Sequence, residues 1–214
     1  IGIVDLTQSE LSARFVTLAS RARALIFADP FELGGEEQRL VAALSDSEVT
    51  LIDLLVGSED PENQLREIPL TISEADAIRT PTKAVFDVTP SEDLPDTINL
   101  YVLTQGDDDV TQISVQPSVR EDALFKFNIS VNQLAAGSRP THMALLELPE
   151  RGTRLLTTSG TSAQFTLVDV ASGESSSFNL PMATAAEGIE LYTATEAAGD
   201  ELSQELRVLA WSSR

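Results

Sequence analysis

The side chains of this sequence that could do chemistry are one histidine and many carboxylates. His142 is the only histidine, so a serine–histidine–aspartate triad or a histidine–metal site would have to include it. It lies in RPTHMALLEL, where the pattern predicts the edge of a strand. No serine stands in a GxSxG motif, and SGTSA at Ser159 is typical of a polar loop. We therefore expect His142 to be a surface or hydrogen-bonded strand-end residue, and we predict no catalytic residue.

Three consecutive acids form the one candidate metal site. Asp107, Asp108 and Asp109 follow Gly106 in a predicted turn, and calcium prefers clustered carboxylate oxygens on such loops. Their spacing is not that of a DxDxDG loop, and three successive side chains of a strand edge cannot all point the same way. The interpretation that we favour is a solvated turn with no metal and no cofactor. The same interpretation applies to the acidic run Glu59, Asp60 and Glu62.

Other site types give no usable signal in this sequence. With 34 acidic residues, some carboxylate pair will lie at almost any separation that a glycosidase requires. The chain has one Trp and two Tyr, few for a sugar-binding cleft. The pair Gly34 and Gly35 lacks the later glycine and lysine of a phosphate-binding loop. The sequon at Asn128 is explained equally well as part of a strand. These patterns favour a protein that is not an enzyme.

The charge balance limits the possible partners. The chain has 34 acidic and 14 basic residues, a net charge of -20 at pH 7. Nucleic acid and anionic lipid are polyanions, so a surface of this charge repels them at low salt. The one basic cluster, Arg14, Arg21 and Arg23, does not share a single helix face. We therefore expect protein partners or self-assembly, and no nucleic acid.

Two residue types are rare or absent. Lys83 and Lys126 are the only lysines, which fits either high-salt adaptation or a GC-rich genome. There is no cysteine, which excludes disulfides, thiolate metal sites and cysteine nucleophiles.

No apolar run approaches the roughly 18 residues of a membrane span, so we expect no membrane insertion. The chain begins at Ile1, which leaves room for a removed leader or an upstream domain.

The first 65 residues predict a small α/β segment. Thr7 and Glu10 have the spacing of a capping box, and the apolar residues that follow have helical spacing up to Ala19. ALIFADP then predicts a strand, GEEQRLVAALSD after Gly34 and Gly35 a second helix, and VTLIDLLVG at Val49 a buried strand. The acidic segment GSEDPENQ after Gly57 predicts a loop or hinge.

Residues 66–214 predict an antiparallel β-sandwich of immunoglobulin-like or jelly-roll type. In LFKFNISV, the residues Phe125, Phe127, Ile129 and Val131 alternate with polar residues and are expected to face the core. QFTLVDVASGESSSFNL predicts a hairpin whose turn is ASGE at Ala171. The whole chain is thus predicted to be α+β and mainly β.

A weak internal repeat relates residues 84–120 to residues 176–213. FDVTPSEDLPDTINLYVLTQ at Phe86 resembles FNLPMATAAEGIELYTATE at Phe178, and DDVTQISV at Asp108 resembles DELSQELRV at Asp200. Chance similarity between strands is the other explanation. If the repeat is real, the copies form two small sandwiches or two halves of one.

These patterns are not specific enough to identify a family. They favour a non-catalytic structural or protein-interaction module of a larger envelope, secreted or virion-associated assembly, rather than a cytoplasmic protein. Its surface would bind through sheet edges and acidic loops. The alternative is a regulatory or ligand-binding subunit, or an enzyme. Its site would lie at the ends of the strands at Ala24–Phe27 and Val49–Leu55, where open α/β sheets bind ligands.

Overall fold

The protein is built from antiparallel β-strands. The computed structural model describes residues 1–5, 12–55, 64–70, 79–89, 96–118, 125–148, 152–181, 184–198 and 201–212. The strands in these ranges form several small sheets of antiparallel strands. The predicted mainly-β fold is therefore confirmed. No helix within these ranges is long and apolar enough to span a membrane.

Nine of the described strands precede residue 90. They are β1 (Gly2–Asp5), β2 (Ser12–Phe15), β3 (Ala24–Phe27), β4 (Phe31–Leu33), β5 (Glu36–Gln38), β6 (Leu40–Leu44), β7 (Glu48–Asp53), β8 (Leu65–Pro69) and β9 (Pro81–Asp87). β1 pairs with β2, β4 with β5, and a four-stranded sheet has the order β3-β6-β7-β8. The strands predicted at Ala24 and Val49 are confirmed as β3 and β7.

The helix predicted after Gly34 and Gly35 is wrong. Leu33 pairs with Glu36, so the two glycines are the complete loop of a hairpin, and both have positive φ angles, 63° and 81°. Two successive residues of positive φ match the tight turns that join antiparallel strands. Residues 40–44 then form β6, in which all five residues are buried. A strand buried on both faces lacks polar alternation, so its apolar run resembled one side of a helix.

The first predicted helix is also wrong where the structure describes it. Residues 12–15 form β2 and pair with β1, with Ser12 opposite Asp5 and Phe15 opposite Gly2. The capping-box residues Thr7 and Glu10 lie outside the described residues. The predicted α/β segment over residues 1–65 is therefore replaced, in its described part, by antiparallel strands.

Nine more strands are described after residue 90. They are β10 (Ile98–Thr104), β11 (Asp109–Pro117), β12 (Phe127–Ala135), β13 (Pro140–Leu148), β14 (Gly152–Ser159), β15 (Gln164–Asp169), β16 (Ser175–Asn179), β17 (Gly188–Ala198) and β18 (Glu201–Trp211). One four-stranded sheet has the order β12-β11-β10-β9 and another the order β13-β14-β15-β16, while β17 pairs only with β18 among the described strands.

The chain divides into two compact units. Unit 1 comprises Ile1–Tyr101 and Ile113–Val131, and unit 2 comprises Val102–Gln112 and Asn132–Arg214. Strands β10, β11 and β12 contribute residues to both. These bounds differ from the sequence-based division at residue 65, which stays a prediction.

The core of unit 1 contains a small cluster around β6 and β7. Val16 packs with Val41, Ala43 and Ile52, and all four are buried. Because Val41 and Ala43 are two residues apart on β6, they lie on the same face of the sheet. The segment after β2 thus covers part of this face and removes its apolar surface from water.

The predicted alternation in LFKFNISV is only half correct. Phe125 and Phe127 are buried and in edge-to-face contact, with ring centroids 5.4 Å apart. Val131, predicted to face the core, is 51% exposed. Burial along β12 is therefore not a simple alternation, because Phe127 and, near the end of the strand, Leu134 are buried, whereas residues 130–133 between them are exposed.

The proposed repeat corresponds to two pairs of strands. Ile98–Tyr101 lies in β10 and Ile189–Tyr192 in β17, and each strand pairs with the one that follows it. Their preceding strands differ, because β9 neighbours β10 whereas β16 pairs with β15. Duplication stays a prediction.

Candidate interaction site

In unit 2, β16 lies at the end of the sheet β13-β14-β15-β16. Its sequence is SSSFN, and all five residues are exposed. None of them is charged, although the chain carries a net charge of -20. Among the described strands, only β15 pairs with β16, so the other edge of β16 presents backbone donors and acceptors that another strand can use.

The structure confirms the hairpin of β15 and β16 that the sequence predicts, with its turn at the predicted position. The Asp169 carboxylate accepts hydrogen bonds from the backbone N–H groups of Ala171 and Ser172, at 3.0 and 3.1 Å. Gly173 has a φ of 75°, which a residue with a Cβ rarely adopts. Arg154 of β14 holds the same carboxylate in an ion pair of 2.8 Å. These contacts fix the register in which Phe165 lies opposite Phe178.

The register also determines which backbone groups of β16 face outward. Asp169 N donates to Glu174 O and Leu180 N donates to Ala163 O, both at 2.8 Å. Because antiparallel hydrogen bonds alternate along a strand, Ser176 and Phe178 bond to β15. The N–H and C=O groups of Ser175, Ser177 and Asn179 therefore point to the open edge.

Two side-chain contacts hold β16 against β15. The hydroxyls of Thr166 and Ser177 are 2.8 Å apart. The rings of Phe165 and Phe178 stack, with centroids 5.2 Å apart and an angle of 25° between their planes. Phe178 is still 47% exposed. The edge is thus an ordered strand with an apolar ring on one face.

His142 lines a shallow depression of unit 2. The depression has a volume of about 500 Å³ and is lined by Thr141, His142, Gly160, Thr184, Ala185, Ala186 and Glu187. His142 is half-buried on β13 beside an irregularity of the strand register, and its Nδ1 lies 3.1 Å from Thr141 Oγ1. An imidazole and a carboxylate on one surface could exchange protons with a bound molecule. The nearby Ser159 hydroxyl is buried and accepts hydrogen bonds from the N–H groups of Thr161 and Ser162. Its lone pairs are therefore engaged in the turn.

Two carboxylates of the acidic turn accept hydrogen bonds from other groups of the protein. Thr104 Oγ1 donates to Asp107 Oδ2, and the Arg139 N–H donates to Asp108 Oδ1, both at 2.9 Å. Arg139 has a φ of 45°, so Asp108 supports a strained turn. Within the described ranges, no three His, Cys, Asp or Glu residues are grouped so that they could hold a metal ion. The calcium candidate Asp107, Asp108 and Asp109 thus gains no support from the geometry.

The remaining sequence candidates are the second acidic run and the basic cluster. Glu59, Asp60 and Glu62 lie outside the described residues. Arg23 forms an exposed ion pair with Asp46 at 3.1 Å, while Arg21 is exposed.

An ion pair in unit 1 was not found by sequence reasoning. Lys126 Nζ lies 2.9 Å from Asp53 Oδ2, and the Asp53 side chain is completely buried. Lys126 also lies over the Phe127 ring, 5.3 Å from its centroid. Strand alternation places Lys126 on the outer face but cannot show what it contacts. The rarity of lysine in the chain was the one available signal.

Comparisons with known proteins leave the family open. No family model, no curated protein and no solved structure matches this chain. The site is therefore interpreted from its own geometry, in which the uncharged edge of β16 is the most distinctive feature.

Proposed function

We propose that the chain is a non-catalytic structural or protein-interaction module of a larger assembly, which binds by adding a partner strand to β16. The observation that carries the proposal is the open edge formed by Ser175, Ser177 and Asn179. Strand addition uses backbone hydrogen bonds for affinity and alternate side chains for specificity. An envelope, secreted or virion-associated assembly is the setting that the sequence favours.

The composition of β16 supports this proposal. Soluble proteins usually protect an exposed edge with lysine, proline, a bulge or an inward-pointing charge, because an unprotected edge pairs with other chains. β16 has no charged residue and no proline, and its five residues pair with β15 in continuous register. An edge left unprotected in so charged a chain is best explained by a strand that covers it.

The alternative function depends on a feature that the described residues do not provide. A ligand site at the ends of Ala24–Phe27 and Val49–Leu55 was expected from an open α/β sheet with parallel strands. In the structure, β3, β6 and β7 are antiparallel. No other observation favours this alternative.

The proposal also includes the type of β-fold to which the sheets belong. We propose that the four-stranded sheets belong to sandwiches of immunoglobulin-like or jelly-roll type, in which one face of each sheet is buried. An experimental structure that shows these sheets packed face to face would support this fold type, and a single unpacked sheet would contradict it.

A displayed library of random extended peptides of about ten residues tests the proposed binding mode. The parent protein should select peptides that bind it, and Ser177→Pro should lose them, since proline has no N–H at the open edge. Ser177→Ala is the matched control, because it also loses the hydroxyl contact with Thr166 but keeps the N–H. No enriched peptide, or equal binding by Ser177→Pro, would refute strand addition at β16.

A further inference from the structure

We infer that the strand added to β16 is β16 of a second copy of this chain, antiparallel and related by a two-fold axis at Ser177. This inference rests on the proposed function and names its partner. Pairing Ser177 with itself places Ser175 opposite Asn179 of the partner subunit. All three outward-facing residues then exchange hydrogen bonds, about six in total.

Charge selects this partner over a basic segment. A lysine-rich strand would find no carboxylate on SSSFN to pair with. A second β16 brings no charge opposite any residue of the strand. The first flanking acid, Glu174, would lie opposite Leu180 of the partner subunit. The two copies of Glu174 would be about 20 Å apart along the strands, which exceeds a Debye length of about 8 Å at physiological salt.

The aromatic face of the edge is continued by the same register. Phe178 would lie opposite Ser176 of the partner subunit, and both residues share one face because side chains alternate along a strand. The two Phe178 side chains then become diagonal neighbours, about 7 to 8 Å apart, which aromatic rings can bridge. The stacked pair Phe165–Phe178 would extend into a row of four rings.

The size of the edge sets the strength of the dimer. A strand of five residues buries less than the roughly 1,200 Å² typical of a stable interface, so the dimer should be weak. Each copy also carries a charge of -20, which opposes association until salt screens it. The association constant should therefore rise about tenfold or more between about 20 mM and 1 M sodium chloride.

Sedimentation velocity across a concentration series tests this self-pairing with charged variants of Ser177, the residue at the two-fold axis. Ser177→Asp places two carboxylates opposite each other in the dimer, and Ser177→Lys places two ammonium groups there. Each variant alone should dimerise at least about tenfold more weakly than the parent. An equimolar mixture should recover dimer, because Asp then pairs with Lys. Both chains remain strongly acidic, so recovery cannot come from a general attraction.

The outcomes separate this inference from the proposed function. A parent that stays monomeric up to about 1 mM at high salt, or a mixture that recovers nothing, overturns self-pairing. If displayed peptides still bind the parent and not Ser177→Pro, strand addition at β16 stands with another partner. Ser177→Asp and Ser177→Lys must give the circular dichroism spectrum of the parent, and Ser177→Ala should dimerise as the parent does.

Discussion

The alternation in LFKFNISV places Lys126 on the polar face, where loss of its side chain is expected to be near neutral, but its contact with Asp53 reverses that expectation. The Asp53 carboxylate is completely buried, and Lys126, 36% exposed, is the cation beside it. Removing one partner of a buried pair leaves a charge without compensation in a poorly solvated place. The near-neutral effect predicted from alternation alone is therefore replaced by a substantial one.

The first prediction follows from this pair. Lys126→Ala should lower the free energy of unfolding by about 2 kcal/mol, less than for a fully buried pair because Lys126 is partly solvated. Ser130→Ala, at an exposed position of β12, the strand that begins directly after Lys126, should be near neutral. Urea unfolding measures both changes. In the Asp53→Asn background, Lys126→Ala should cost clearly less, and equal costs in the two backgrounds would show that the pair contributes nothing.

The second prediction concerns Tyr101 and the folding stability of the protein at alkaline pH. Burial raises the pKa of its hydroxyl above the ordinary value, and the negative charge of Asp87 raises it further. The hydroxyl is buried and makes no hydrogen bond within the described part of the chain. Because the folded-state pKa lies above the unfolded one, the protonated hydroxyl contributes stability below about pH 10 that is lost as the pH rises further.

Tyr101→Phe removes both the titration and the unpartnered group. We expect it to be neutral or to raise the free energy of unfolding by about 1 kcal/mol at neutral pH. Above about pH 10, its advantage over the parent should grow, since only the parent can ionise Tyr101 on unfolding. The urea unfolding midpoints of the parent and of Tyr101→Phe, measured from neutral pH to above about pH 10, test this prediction. A parent and variant that lose stability in parallel would contradict the linkage.

The acidic turn gives the third prediction. Asp108 accepts the Arg139 N–H, so Asp108→Ala should cost about 1 kcal/mol, whereas Asp108→Asn keeps an acceptor oxygen and should cost less. Calcium at about 1 mM should not raise the melting temperature of the parent. Calorimetry of the parent and of the triple Asn variant of Asp107, Asp108 and Asp109 checks this. A rise of several degrees in the parent alone would establish a calcium site.

At the scale of the element, β16 makes a prediction about hydrogen exchange. In dilute protein, the amides of Ser175, Ser177 and Asn179 should exchange faster than those of Ser176 and Phe178, which bond to β15. Amide exchange followed by NMR resolves the five residues. Equal protection of Ser177 and Phe178 under monomeric conditions would contradict the assigned edge.

At this scale, the hairpin β4–β5 shows how one element determines the structure of the residues that follow it. Its two-glycine loop turns the chain back after Leu33, so the apolar run that follows becomes a strand, β6, beside β7. A helix in this position could not pair with β3 and β7 at once. The glycine pair was present in the sequence, and the correct interpretation required treating it as a hairpin loop rather than as a helix start.

At the scale of the whole molecule, the net charge of -20 governs stability. Like charges repel in the compact state, and added ions screen them within a Debye length. The melting temperature of dilute protein should therefore rise between about 20 mM and 1 M sodium chloride. Differential scanning calorimetry at a concentration below that of dimerisation isolates this effect. A flat or falling curve would show that self-repulsion does not limit stability.

The sequence by itself determined the β-rich character, the β15–β16 hairpin and the charge, because turn residues, alternation and composition are local properties. It also located strands β3 and β7. The structure alone decided that residues 40–44 form a strand buried on both faces, since burial on two faces removes the alternation that identifies a strand. Likewise, Lys126 meets Asp53 across 73 residues of sequence, a contact that no local pattern encodes. The open edge of β16 belongs to the same class, because a strand becomes an edge only through the strands that do not pair with it.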